Sequence, residues 1–164
     1  MRMAAHGTER TPTDALVEAS ALWILGDAPP GFLIDAAVEA SVAGLDVPSL
    51  HELAGMSDAD SPWVLREALG RAFDELGVAM PEVTSPVTVA LALRELATQF
   101  LHERISVREL VDRARSVLDE GPGDGEAARR LLEVADDLDA GRVSAHDAQT
   151  AALDWAVGLT RSRS

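Results

Sequence analysis

Helix-start signals recur along the chain, and each is followed by apolar residues at helical spacing. Thr11-Pro12-Thr13-Asp14 combines a capping threonine, a proline at the first helical position and an acid three residues after the cap. Ser61-Pro62 and Ser85-Pro86 repeat the pairing of cap and proline. No stretch shows the apolar–polar alternation of a half-buried strand. We therefore predict an all-α protein, a compact bundle of seven to eight helices organised as helical hairpins.

Glycines mark the expected helix ends, because glycine adopts the left-handed conformation that closes a helix. The residues expected near these ends are Gly26, Gly44, Gly55, Gly77, Gly121 and Gly141. Ser49-Leu50-His51-Glu52 has the spacing of a capping box and predicts a short third helix. Ser106 with Glu109, and Ser144 with Asp147, predict the starts of two later helices.

A chain of 164 residues fits one domain and can bury roughly 70% of its unfolded surface. We predict a disordered N-terminus over residues 1–10 and a single all-α domain over 11–160, with a subdivision into 11–80 and 85–160 left open. The predicted core residues are Leu69, Phe73, Leu93, Leu96, Phe100, Leu131 and Leu138. Trp23, Trp63 and Trp155 lie within or beside apolar helical stripes and are expected to serve packing.

The sequence motifs that would indicate a catalytic or metal-binding site are absent or incomplete. Cysteine is absent, which excludes disulfides, thiolate catalysis and cysteine metal sites. His102-Glu103 begins like a metalloprotease helix, but Ser106 stands where the second histidine is needed. Asp58-Ala59-Asp60 begins like a calcium-binding loop, but Trp63 occupies the position of the turn glycine. We therefore assign no catalytic, cofactor-binding or metal-binding residue and expect no cofactor.

The formal net charge is −14, and the chain contains 14 arginines and no lysine. This charge repels phosphate groups, so we expect no nucleic-acid binding, whereas a basic protein is the electrostatic complement. The most apolar run, Ala19 to Leu25, is far shorter than the roughly 20 residues that a membrane span needs. No secretory signal is visible at the N-terminus. We therefore expect a cytoplasmic protein without a membrane segment.

Acidic residues in the first part of the chain are not balanced by arginine. Between Thr11 and Leu65 there is no arginine, and the acids in that stretch are Asp14, Glu18, Asp27, Asp35, Glu39, Asp46, Glu52, Asp58 and Asp60. The stripes expected to pack the first two helices together are Leu16, Ala19 and Trp23 on one and Leu33, Ala37 and Ala40 on the other. Such packing would turn the carboxylates outward. The predicted partner-binding residues are Asp14, Glu18, Asp35 and Glu39.

Two motifs resemble a known kind of protein. They are Ala21-Leu22-Trp23-Ile24-Leu25-Gly26-Asp27 and Gly44-Leu45-Asp46-Val47-Pro48-Ser49-Leu50-His51-Glu52-Leu53-Ala54-Gly55-Met56-Ser57. Together they resemble an uncharacterised family of small all-helical proteins from GC-rich, actinobacterial-type bacteria, over residues 15–77. The resemblance implies a bacterial protein and a helical fold, with no known activity and no site residues.

These observations favour a non-catalytic, acidic protein-interaction module, of the immunity or regulatory kind, that binds a basic protein. One alternative is that the acidic surface serves solubility alone. Another is a small enzyme or ligand-binding protein whose site draws Glu, Asp, Arg and His from several helices. A convex acidic face would favour the interaction module, and partly buried charged groups in a pocket would favour the ligand site. The oligomeric state is left open.

Overall fold

A computed structural model describes residues 10–26, 28–123 and 125–161, and every regular element in these ranges is helical. The elements in chain order are α1 Pro12–Leu25, α2 Pro30–Val42, α3 Pro48–Ala54, α4 Pro62–Leu76, α5 Pro86–Leu101, α6 Val107–Glu120, a 3₁₀ turn Glu126–Ala128, α7 Arg129–Asp139 and α8 Ala145–Arg161. The prediction of an all-α bundle of seven to eight helices is confirmed.

Most helix starts use the predicted caps. Thr11 and Asp14 form a capping box at the start of α1, and Ser106 and Glu109 form another at the start of α6. Each of α1 to α5 begins with a proline, whose missing N–H would have no partner at that position. Gly77, which follows α4, has a φ of 73°, the left-handed conformation that the sequence predicts there. Local chemistry therefore accounts for these boundaries.

The start of α3 differs from the prediction, because Ser49 and Glu52 do not form a capping box. The cap residue is Val47, and no side chain at that position caps the helix. Instead, the carboxylate of Glu75 in α4 accepts hydrogen bonds from the Ser49 backbone N–H at 2.9 Å and from the Ser49 hydroxyl at 2.6 Å. Glu52 forms an ion pair with Arg71. The cap comes from a residue distant in sequence, so the local pattern could not reveal it.

Acid is expected to weaken the attachment of α3 to α4. Hydrogen bonds from the Ser49 hydroxyl and backbone N–H lower the pKa of Glu75 below its ordinary 4.5. A carboxyl with a lowered folded-state pKa stabilises the fold above its unfolded pKa, and this contribution is lost as the pH falls through the folded value. Urea unfolding as a function of pH should therefore show less loss of stability on acidification in Glu75→Gln than in the wild type.

The exposed neighbour Asp74 supplies the control for this titration. Asp74→Asn should keep the acid dependence of the wild type. An acid dependence of Glu75→Gln equal to that of the wild type would show that this cap does not link α3 to α4 in solution.

Buried apolar side chains form two clusters that meet at α1. One cluster contains Leu16 of α1 together with residues of α2, α3 and α4. The other contains Leu22 and Leu25 of α1 together with residues of α5 to α8. α1 packs along α5 as well as against α2. The buried residues of α1 are therefore divided: Leu16 belongs to one cluster, and Leu22 and Leu25 belong to the other.

The predicted core is largely confirmed, since the buried residues include Leu69, Phe73, Leu93, Leu96, Phe100 and Leu131. Leu138 is only partly buried, because it lies near the end of α7 beside a surface recess. The indole of Trp155 is buried and donates a hydrogen bond to the Ala127 carbonyl at 2.8 Å.

The expectation that all three tryptophans serve packing is wrong for Trp63, which is 70% exposed. Trp63 lies two residues before Leu65, which is fully buried and faces the core. Residues two positions apart in a helix are separated by about 200° around its axis. Trp63 therefore points away from the face that Leu65 buries. An apolar residue beside a helical stripe was therefore assigned to the wrong face.

Candidate partner-binding cleft

A cleft of about 330 Å³ lies between α1, α2 and the C-terminal end of α5, and we call it the α1–α2 cleft. Small apolar side chains form much of its wall. Ala15 and Ala19 of α1, and Ala36 and Ala40 of α2, are each four residues apart and share one face of their helix. Because alanine has a short side chain, these positions leave space between two packed helices.

Arg10 and Glu95 also line the cleft, and they belong to a network of charged groups that includes the buried Glu18 beside it. Glu95 of α5 is 6% exposed and Glu18 of α1 is 2% exposed. Arg10 Nε lies 3.1 Å from Glu18 Oε1, and the Arg10 guanidinium also hydrogen-bonds Glu95 Oε1. Gln99 donates to Glu95 Oε2 at 3.0 Å. Buried charges are tolerated only when they are paired and hydrogen-bonded, so this network ties α1 to α5 beside the cleft.

The four predicted partner-binding residues do not form one outward face. Glu18 is buried, which corrects the prediction that its carboxylate is available to a partner. Asp14 is partly exposed, and its carboxylate accepts from the Thr11 N–H at 3.2 Å as part of the helix cap. Asp35 and Glu39, in contrast, are exposed, stand one turn apart on α2 and line the cleft. These two carboxylates are the part of the predicted face that is both accessible and next to a concave surface.

Arg10 is predicted to lie in a disordered N-terminus over residues 1–10, whereas it pairs with Glu18 and Glu95. Residues 1–9 lie outside the described part of the chain. A signal for the role of Arg10 was present. Glu18 stands within the run Leu16-Val17-Glu18-Ala19, where an acid on an otherwise apolar helix segment requires a cation or donor. Arg10 precedes Glu18 by about two helical turns. Glu95 is distant in sequence, and no local pattern could connect it to either residue.

Arg104 is the second arginine in the cleft, and an unusual helix end places it there. Glu103, which follows α5, has a φ of 58° and is not a glycine. The Arg104 N–H donates to the Gln99 carbonyl at 2.9 Å, closing the helix as glycine does elsewhere. The left-handed conformation costs an ordinary residue about 1–2 kcal/mol.

The described histidines do not line the α1–α2 cleft. His51 of α3 is exposed, with its Nε2 2.7 Å from Asp46 Oδ1, and His102 follows the last residue of α5. His146 is exposed in the first turn of α8. In residues 10–26, 28–123 and 125–161, no group of three or more histidine, aspartate or glutamate side chains is placed to hold a metal ion. Within the same ranges, no helix is long and apolar enough to cross a membrane.

No family model, curated protein sequence or solved structure matches this chain. The resemblance of residues 15–77 to small helical proteins of GC-rich bacteria therefore stays a prediction.

Proposed function

We propose that the protein is a non-catalytic interaction module that binds a basic protein through the α1–α2 cleft. The observation that carries the proposal is the position of Asp35 and Glu39. Both are exposed carboxylates, they stand one turn apart on α2, and both line a cleft with alanine walls. An arginine or lysine side chain would place its apolar stem against the alanines and its charged head at the carboxylates.

The shape of the site distinguishes this proposal from an acidic surface that serves solubility alone. A solubility surface needs charge but no concavity. The cleft, at about 330 Å³, falls within the range of pockets that bind ligands, and its partly exposed alanines, Ala15 and Ala36, offer apolar surface that a partner can cover. The charge of −14 would speed the approach of a basic partner and repel a nucleic acid.

Such a surface suits a protein of the immunity or regulatory kind. A protein of this kind neutralises a basic toxin or effector in the bacterial cytoplasm. The partner would present an arginine or lysine that projects into the cleft. Because exposed carboxylates at the edge of an interface act mainly on association, they would set the rate of encounter more than the lifetime of the complex.

The first test uses a short arginine-containing peptide and NMR of the alanine methyl groups. The methyl signals of Ala15, Ala19, Ala36 and Ala40 should shift on titration. The shifts should be largely lost in Asp35→Asn/Glu39→Gln. The control Glu120→Gln/Asp154→Asn removes the same charge at exposed positions outside the cleft and should behave as the wild type. Equal shifts in both double variants would contradict the proposal.

The second test uses the natural partner, captured with the full chain and then purified. Association should be slower in Asp35→Asn/Glu39→Gln than in the wild type, and its rate should depend less on salt, since screening acts on fewer charges. Equal association rates and equal salt dependence would leave the acidic residues of α2 as a solubility feature.

A small-ligand site is the second candidate. Partly buried charged groups in a pocket are the feature expected of such a site, and the cleft has them, with charges of both signs. Arg10 and Arg104 stand on the α1 and α5 sides, and Asp35 and Glu39 stand on α2. A zwitterionic molecule would fit this arrangement, with a carboxylate towards the arginines and an ammonium towards the acids. Raised thermal stability with a free amino acid, lost in both Arg104→Gln and Glu39→Gln, would favour this candidate over the protein-binding one.

A further inference from the structure

A second concave surface lies where the C-terminal end of α1 and the N-terminal ends of α2 and α4 meet. It encloses about 440 Å³, and we call it the Trp63 surface. Trp23 and Trp63 supply two indole rings, Pro30 and Pro62 supply two pyrrolidine rings, and Arg66 supplies a guanidinium. The Trp63 surface shares no described lining residue with the α1–α2 cleft.

The exposure of Trp63 is the first indication that this surface binds something. It is 70% exposed, and no other aromatic residue in the described part of the chain is exposed. Tryptophan is the residue type most strongly associated with large losses of affinity when interface residues are truncated. An indole in water beside a second indole offers a large flat area that a partner can cover.

The polar groups of the Trp63 surface indicate which chemistry would cover it. Its described side chains are donors, namely the indole N–H groups of Trp23 and Trp63 and the guanidinium of Arg66, and none of them is an acceptor. The indole N–H groups donate to no described residue. A complementary ligand therefore brings flat apolar groups and acceptors while bringing few donors.

We propose that the Trp63 surface binds a proline-rich segment of a partner protein in the polyproline II conformation. Such a segment forms no internal hydrogen bonds, so its carbonyl oxygens are free to accept from Trp63 and Arg66. Proline lacks an N–H, so the segment brings no backbone donor that the surface would leave unpaired. Its rings pack on indoles in the manner of aromatic-lined grooves that bind proline-rich peptides.

Charge favours this partner over a second copy of the chain. Each copy carries −14, so a symmetric contact would bring two strongly acidic molecules together. Asp58 and Asp60 are exposed and directly precede α4, which begins at Pro62. Arginine or lysine beside the proline run would therefore be attracted to this end of the molecule. The proposal does not depend on the function of the α1–α2 cleft.

The test is a titration of ¹⁵N-labelled protein with a peptide of eight prolines followed by two arginines. A glycine–serine peptide of equal length with the same two arginines controls for charge. The three tryptophans give three indole signals. Those of Trp63 and Trp23 should shift with the proline peptide, whereas that of Trp155, which is hydrogen-bonded to the Ala127 carbonyl, should stay in place. Trp63→Ala should weaken binding at least tenfold.

Val87→Ala is the matched control variant, since Val87 is also an exposed apolar residue that directly follows the first proline of its helix. It should bind the peptide as the wild type does. The proposal is overturned by equal shifts with the glycine–serine peptide or by unchanged affinity of Trp63→Ala. It is also overturned by a dimer at the concentration of the titration that Trp63→Ala abolishes, because the surface would then be a contact between copies.

Discussion

Phe73→Ala is expected to lower the free energy of unfolding by about 3–5 kcal/mol. Phe73 is 1% exposed and lies in the cluster built by α2, α3 and α4 with the first half of α1. Its neighbours in that cluster include Leu50, Leu53 and Leu69, which are fully buried. Removing the ring loses its transfer free energy and leaves a cavity that packed helices refill only in part. Urea unfolding followed by circular dichroism measures the change.

Two variants control for the position and the size of the side chain. Leu153→Ala truncates a residue that is 37% exposed on α8 and should change stability by no more than about 0.5 kcal/mol. Phe73→Leu fills part of the space and should cost less than Phe73→Ala. If Phe73→Ala unfolded at the wild-type urea concentration, the cluster around α3 and α4 would not be packed in solution.

Arg10→Ala is expected to destabilise the protein by about 3–5 kcal/mol, the range found when one partner of a buried ion pair is removed. The guanidinium pairs with Glu18 and Glu95, both of which are buried, and it is itself largely covered. Its loss leaves carboxylates of two helices facing each other without the cation that they share. Since the cost arises from these charges, neutralising them should restore stability.

A mutant cycle measures this coupling. In the background Glu18→Gln/Glu95→Gln, the further change Arg10→Ala should cost much less than it does in the wild type. Arg10→Lys should fall between the two, because lysine keeps the charge but lacks the planar group that can reach two carboxylates at once. A cost of Arg10→Ala that is the same in both backgrounds would show that its effect comes from packing and not from charge.

The parts of the fold that the sequence predicts are those set by neighbouring residues. Thr11 with Asp14 and Ser106 with Glu109 lie within one helical turn, so the spacing alone identifies both helix starts. Phe73 and Phe100 were assigned to the core because apolar residues recur on their helix faces. Caps and helical spacing involve residues that are close in sequence, so they can be identified before the long-range contacts of the fold are known.

The parts that the sequence did not predict depend on residues that folding brings together. Glu18 is predicted to face outward, but it is buried and pairs with Arg10. Arg10 also pairs with Glu95, which is 85 residues from it in the chain, and no spacing rule reaches that far. The spacing of Ser49 and Glu52 predicts a local capping box for α3, whereas Ser49 donates instead to Glu75, which lies on another helix. Two of the four predicted site residues, Asp35 and Glu39, line the cleft. Arg104 is not predicted to lie there, because the helix end that positions it is closed by Glu103 and not by a glycine.

The division of α1 between two clusters has a consequence for how the chain is made. The ribosome releases α1 before α5, but Leu22 and Leu25 are covered by α5 and later helices. At synthesis rates of about 5–20 residues per second, roughly 4–15 seconds separate the two helices. During that interval the first four helices can bury Leu16 but not the second half of α1. The nascent chain therefore exposes Leu22 and Leu25, which a chaperone would recognise. These side chains are buried only when α5 packs against α1.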